Sequence, residues 1–200
     1  MVPIRVALVG LLRFGCLAVA LACAGSTARA DASAPATTPT PEQWIEWGSR
    51  VHGGFGVLIA LGIRMGEDAM AHLGAQRREL EVIYFDSPGS PCPCVIDGIM
   101  VAVSASPGQN TLRVGAEPAG KGHFGEALFR HRKSGRAVRM CIRNEAMPLL
   151  FEYQKNARFR DRYDAVMRLK AETLYFASGV AEQCVEPRER PGAQGADAAR

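Results

Sequence analysis

The sequence predicts an α+β domain with a long N-terminal helix, a mixed or antiparallel sheet, and helices packed on one face. Three observations carry this. Apolar residues recur at spacings of three and four across residues 42–73, the period of a helix face. Short runs rich in β-branched and aromatic residues follow, the composition of strands. Helical and strand segments then alternate irregularly, not as repeated βαβ units, which favours α+β over α/β.

The elements follow in order. Residues 1–30 carry Arg5 and Arg13, an uncharged apolar stretch over 14–25, and Ala28-Arg29-Ala30, a small-x-small cleavage pattern before Asp31. This is the pattern of a cleavable export signal, with an apolar core short for a membrane span. Leu21 sits one place too late for a lipoprotein site at Cys23, so a soluble periplasmic or secreted product is expected, with no span in the mature form. Residues 31–41, DASAPATTPTP, read as a flexible linker. Thr40-Pro41 supplies a cap and a first-turn proline for a helix over 42–51, on which Trp44, Trp47 and Val51 share one side.

A second helix is expected over 55–73 from Leu58, Leu61, Met65, Ala69 and Leu73, with Gly74 as its stop. Residues 80–85 read as a buried strand, 86–93 as a loop and 95–104 as a helix. Strands are expected over 111–115, 127–131 and 136–143, the last two joined by a turn at 132–135 that ends in glycine. Helices over 145–155 and 161–170 and a closing strand over 173–180 complete a domain placed at 42–182. The charged, non-periodic residues 183–200 read as a disordered tail.

The full chain has 24 basic and 20 acidic residues in 200. Loss of Arg5, Arg13 and Arg29 leaves 21 basic against the same 20 acidic, so no global charge points to nucleic acid. Four cysteines remain in the mature chain: Cys92, Cys94, Cys141 and Cys184. An oxidising compartment permits disulfides, and four cysteines allow three full pairings. Cys92-Pro93-Cys94 places its sulfurs too close in sequence for a mutual bridge to be the default. Each is expected to pair with Cys141 or Cys184, to bind metal, or to stay reduced.

Three stretches carry a resemblance: His52-Gly53 leading to ALGIRMG, then CVIDGIMVAVSASPGQNTL, then RKSGRAVRM. Together they resemble the FmdE-like domain family, named after a component of formylmethanofuran dehydrogenase, across most of the mature chain. The resemblance implies a Cys/His site at the glycine-rich entry to a helix. His52 stands at the family's first histidine, Gly62 and Arg64 at its Gly-x-Arg, and Cys94 and Asp97 in its second motif. Carried over in this way, His52 and Cys94, with Cys92 beside them, would hold a transition metal such as zinc or copper. Gly53, Gly54, Gly62 and Asp97 would line the pocket.

The pattern also departs from the family's. Its second histidine falls on Gly54, its cysteine on Gly56, its proline on Val57, its glutamine on Met100, its internal cysteine on Ala105 and its lysine on Gln109. Zinc wants four ligands, or three and water, so the ordinary site is dismantled.

Three functions stay open. The first is a protein that binds a metal or small ligand at a divergent form of the site. The second is a structural or partner-binding module with a decayed site stapled by disulfides. The third is an accessory component of a one-carbon-metabolism oxidoreductase, against which the export signal argues. Nothing pairs Glu67, Asp68 or Asp97 with a nucleophile, so an enzyme acting by itself is not expected. Met65, Met100 and Met140 fit core positions better than thioether ligands. A homodimer is one expected assembly. A periplasmic partner is another, met through the basic hairpin of Lys121, Arg130, Arg132, Lys133, Arg136 and Arg139 with His123 and His131.

Overall fold

The computed structural model describes residues 38–178 and Cys184. The segment expected to be an export signal, most of the expected linker and nearly all of the expected tail lie outside the described residues, as does the end of the expected closing strand.

Helix α1 (Pro41–His52) starts as its sequence dictates. The Thr40 hydroxyl accepts from the Gln43 amide and the Gln43 side chain accepts from the Thr40 amide, a reciprocal capping box with proline in the first turn. Helix α2 (Val57–Leu73) ends at Gly74, whose φ of 64° is the left-handed stop expected of glycine. Strand β1 (Leu80–Asp86) leads through a loop to α3 (Val95–Val103), then to β2 (Leu112–Val114). Strands β3 (His123–His131) and β4 (Ala137–Arg143) form the hairpin, turning through Gly135 at φ 71°. Helices α4 (Met147–Gln154), α5 (Phe159–Arg168) and α6 (Ala171–Leu174) precede β5 (Tyr175–Ser178).

The five strands lie in the order β2-β1-β3-β4-β5. All pairs are antiparallel except β1 with β2, which is parallel, so the sheet is mixed. The parallel pair has the crossover helix it needs, since α3 lies between the two strands in sequence. Helix α2 starts two residues later than the sequence reading and α5 lies two residues earlier, and two larger details differ as well. Strand β3 begins at His123 rather than 127, because Gly125 and Glu126 pair across it with Asp86 and Phe85. The final strand is preceded by a single helical turn, α6, which takes up residues 171–174.

Alternate residues of the central strands face the helices: Leu80, Val82 and Tyr84 from β1, Ala127 and Phe129 from β3, Val138, Met140 and Ile142 from β4. They meet α2, whose buried residues include Leu58, Leu61, Met65 and Ala69. Met65 and Met140 thus belong to the core. The opposite face holds a small separate cluster of Cys141, Phe176 and Cys184, joined by a Cys141–Cys184 disulfide over a sequence separation of 43 residues. Closing so long a loop restricts the unfolded chain by about 4 kcal/mol in the chain-entropy account.

The contact between α2 and α3 explains two glycines. A Cβ on Gly62 would stand 2.0 Å from the Val95 carbonyl oxygen, and one on Gly98 would stand 2.1 Å from the Ile59 carbonyl oxygen. The helices therefore cross backbone against backbone, which only glycine permits on both sides. Arg64, the other half of the Gly-x-Arg pair, donates to the Met167 carbonyl at 3.0 Å and the Leu169 carbonyl at 3.3 Å, tying α2 to the end of α5.

Candidate functional site: a cavity at the meeting of four helices

Helix α1 ends on His52. Gly53 caps it at φ 87°, its amide donating to the Ser49 carbonyl. Three residues later Gly56 starts α2 in an extended conformation with no side-chain cap. The first-turn amides of α2 thus have no carbonyl behind them. That of Val57 donates instead to the Gln154 side chain at 2.9 Å, and a Cβ on Gly56 would crowd the same oxygen at 3.1 Å. Because α3 lies tight against α2, its first turn comes up beside the end of α1. There His52 Nδ1 meets Asp97 Oδ2 at 2.7 Å, both side chains about one-third exposed. A carboxylate accepts, so Nδ1 carries the proton and Nε2 is the nitrogen left over.

Helices α4 and α5 close the other side. Phe151 and Gln154 come from α4, Phe159 and Arg162 from α5. Together with His52, residues 54–59, Pro91, Cys92 and Cys94 they surround an open cavity of about 360 Å³. Phe55 packs against Phe159 and Tyr163 at ring separations of 6.3 and 6.2 Å. Arg162 is held at the wall, Nη1 donating to the Phe55 carbonyl at 2.9 Å and Nε to the Asn156 carbonyl at 2.7 Å. Burial raises the nearby Tyr163 hydroxyl to about 12, with the Glu67 and Asp164 carboxylates adding to it, so it stays a neutral phenol.

The structure thus gathers His52, Gly54, Cys92 and Cys94 on one cavity. It places Asp97 behind His52 and Gly53 in the α1 cap, while Gly62 lies in the helix crossing, away from the lining. Phe151, Gln154, Phe159 and Arg162 escape the sequence reading. They lie roughly 100 residues downstream, and no local pattern marks them as neighbours of the glycine-rich turn.

The cysteines require a correction. Cys92 and Cys94 are bonded to each other, and Cys141 is bonded to Cys184. Sequence proximity argues against the first pairing, and local geometry overrides it. Proline fixes φ at position 93, and Cys94 already has helical angles of φ −60° and ψ −20°. The chain therefore turns tightly enough to leave the two Cα atoms 5.2 Å apart, within bridging range. Closing a three-residue loop restricts the unfolded chain by only about 1.5 kcal/mol.

The same bond decides the fit of a metal. Both sulfurs are spent on one another and His52 Nδ1 is taken by Asp97. Among the described residues no group of three or more His, Cys, Asp or Glu side chains is placed to hold an ion. In this oxidised form the donor set does not fit zinc or copper.

Other charged groups are engaged within the chain. Lys133 Nζ meets Glu79 at 2.7 Å, Arg139 meets the buried Glu126 at 2.7 Å, and Arg130 pairs with Glu81. Arg136 donates to the His72 and Leu73 carbonyls at the end of α2. Much of the basic hairpin is thereby neutralised on its own sheet. Asp68 accepts from Arg64 and from the Tyr175 hydroxyl, whose pKa burial pushes well up. Burial also raises the Glu67 carboxyl. Neither acid lies on the cavity.

No curated protein matches the chain. A family model described as FmdE, molybdenum formylmethanofuran dehydrogenase operon, matches residues 51–177, from the end of α1 into β5. The match spans the helix crossing, the cavity wall and the sheet, and on it the chain belongs to the FmdE family.

Proposed function

We propose that this chain is an exported FmdE-domain binding module. Its cavity takes a small molecule with an apolar body and one anionic or hydrogen-bond-accepting end. The supporting observation is the makeup of the wall. Phe55, Leu58, Phe151 and Phe159 offer an apolar surface, while His52, Arg162 and the N-terminal end of α2 offer donors and positive potential on the same cavity. Two disulfides among the described residues support an oxidising compartment, in line with the export signal.

Calorimetry with a panel of small aromatic and aliphatic carboxylates tests this. Binding with a negative heat-capacity change is expected, weakened at least about tenfold by Phe159→Ala or Arg162→Gln. A panel that gives no heat, with native mass spectrometry showing an empty protein, overturns it. Export is tested on the same protein: recovery from the periplasmic or secreted fraction with Asp31 as the first residue supports it, and an intact Met1 refutes it.

A second reading keeps the metal. Reduction of Cys92–Cys94 would free two thiolates on the cavity that His52 also lines, a donor set suited to zinc or copper(I). Native mass spectrometry of protein purified without chelator, with thiols counted on the same sample, separates the two. Stoichiometric metal with Cys92 and Cys94 reduced, lost in His52→Ala and Cys94→Ala, favours the metal. No metal and no free thiol removes it.

A further inference from the structure

The two disulfides of this chain are built for different tasks. Cys141–Cys184 closes a long loop, and its cysteines are 0 % and 9 % exposed. Cys92–Cys94 spans a single intervening residue, so it adds little to the fold. It also borders an open cavity, with Cys92 half-buried and Cys94 at 7 % exposure. The two sulfurs are not equivalent. Cys94 occupies the position that opens the nine-residue helix α3, where the positive end of the helix dipole favours a thiolate, although the Ile96 and Asp97 amides donate to the Pro93 and Cys94 carbonyls. Cys92 stands in the loop before it and is the more accessible. His52 lines the same cavity with its Nδ1 fixed by Asp97.

We propose that Cys92–Cys94 is a reversible redox disulfide that oxidises dithiols of a peptide or protein segment presenting an aromatic or aliphatic side chain to the cavity. This goes beyond the small-ligand reading and does not depend on it. His52 Nε2 takes the proton of the incoming thiol, whose thiolate attacks Sγ of Cys92. The Cys92–Cys94 bond breaks and Cys94 departs as a thiolate at the start of α3, the better leaving group of the two. The second thiolate of the substrate attacks the substrate sulfur of this mixed disulfide, forming the substrate disulfide and releasing Cys92. Two electrons pass from substrate to protein, and the two substrate protons end on Cys92 and Cys94.

The experiment uses the full oxidised chain and a synthetic peptide with two cysteines, one of them beside phenylalanine. Samples are quenched in acid, alkylated and mapped, so that each cysteine is read separately. Cys92 and Cys94 are expected to become reduced while Cys141 and Cys184 stay oxidised, with one peptide disulfide formed per protein. The rate should exceed by at least about tenfold that of an isolated oxidised peptide of residues 88–97. Replacing the phenylalanine by serine should slow exchange. Cys94→Ser, given the oxidised peptide, should trap a mixed disulfide on Cys92 at least about tenfold faster than Cys92→Ser traps one on Cys94.

The proposal is overturned if Cys92–Cys94 is reduced no faster than in the isolated peptide, if Cys141–Cys184 is reduced alongside it, or if the two serine variants trap equally. Equal rates with phenylalanine and serine peptides overturn the substrate class. The oxidised wild-type chain is titrated in parallel with the carboxylates of the calorimetric panel, so failure of exchange and failure of ligand binding are read separately.

Discussion

At the scale of single residues, the glycines of the first two family-like stretches divide by what surrounds them. Gly62 and Gly98 face backbone atoms at 2.0 and 2.1 Å from a built Cβ, whereas nothing lies within 4 Å of one on Gly54. Gly62→Ala or Gly98→Ala must push the helices apart and should cost about 3 kcal/mol or more in urea denaturation. Gly54→Ala should fall within about 0.5 kcal/mol of wild type, since Gly54 lacks a positive φ. Glu79 gives a pH signature. Its carboxyl is held down to about 2, first by the Lys133 hydrogen bond and then by the Gln76 amide. A depressed carboxyl contributes in full above its ordinary value of 4.5, and the contribution is lost as pH falls through about 2. Wild-type urea midpoints should therefore rise with pH across that window, and Glu79→Gln should flatten the rise. An equally steep variant would place the acid sensitivity elsewhere.

At the scale of elements, the ends of helices are the parts most plainly written in the sequence. Thr40, Pro41 and Gln43 cap α1, and Thr40→Ala should lower stability by about 1 kcal/mol in thermal melts. Gly74 ends α2 and Gly135 turns the hairpin, each at the positive φ that a side chain disfavours. These features depend on neighbours a few residues apart, so local sequence reveals them. The disulfides do not share that property. Cys184→Ser should cost about 2–4 kcal/mol, while Cys92→Ser should cost about 1.5 kcal/mol or less. Equal losses would make both bridges structural staples and weaken the case for a functional bond on the cavity.

At the scale of the whole molecule, the cavity is a product of packing. Arg162 reaches the Phe55 carbonyl across 107 residues of sequence, and Gln154 reaches the Val57 amide across 97. Neither side chain sits in a motif. Phe151 and Phe159 are among the exposed large apolar side chains at 39 % and 40 %; in sequence Phe151 falls in the helix expected over 145–155 and Phe159 just before the one expected over 161–170, with nothing to mark either as part of a site. Phe159→Ala should leave the fold nearly intact, within about 1 kcal/mol, while weakening ligand binding. Unfolding and calorimetry on one preparation separate the two effects.

The α+β class, the order of the elements, the caps of α1 and α2, and the family are all legible along the chain, because periodicity, capping chemistry and motif order are properties of neighbouring residues. Packing settles the rest: that Cys92 joins Cys94, that Gly62 serves a helix crossing, that Asp97 backs His52, and that α4 and α5 complete the cavity. Those outcomes depend on which distant surfaces pack together, and on a turn at Pro93 tight enough to bring two sulfurs into one bond. Spacing along a chain does not specify such contacts; distances through space do.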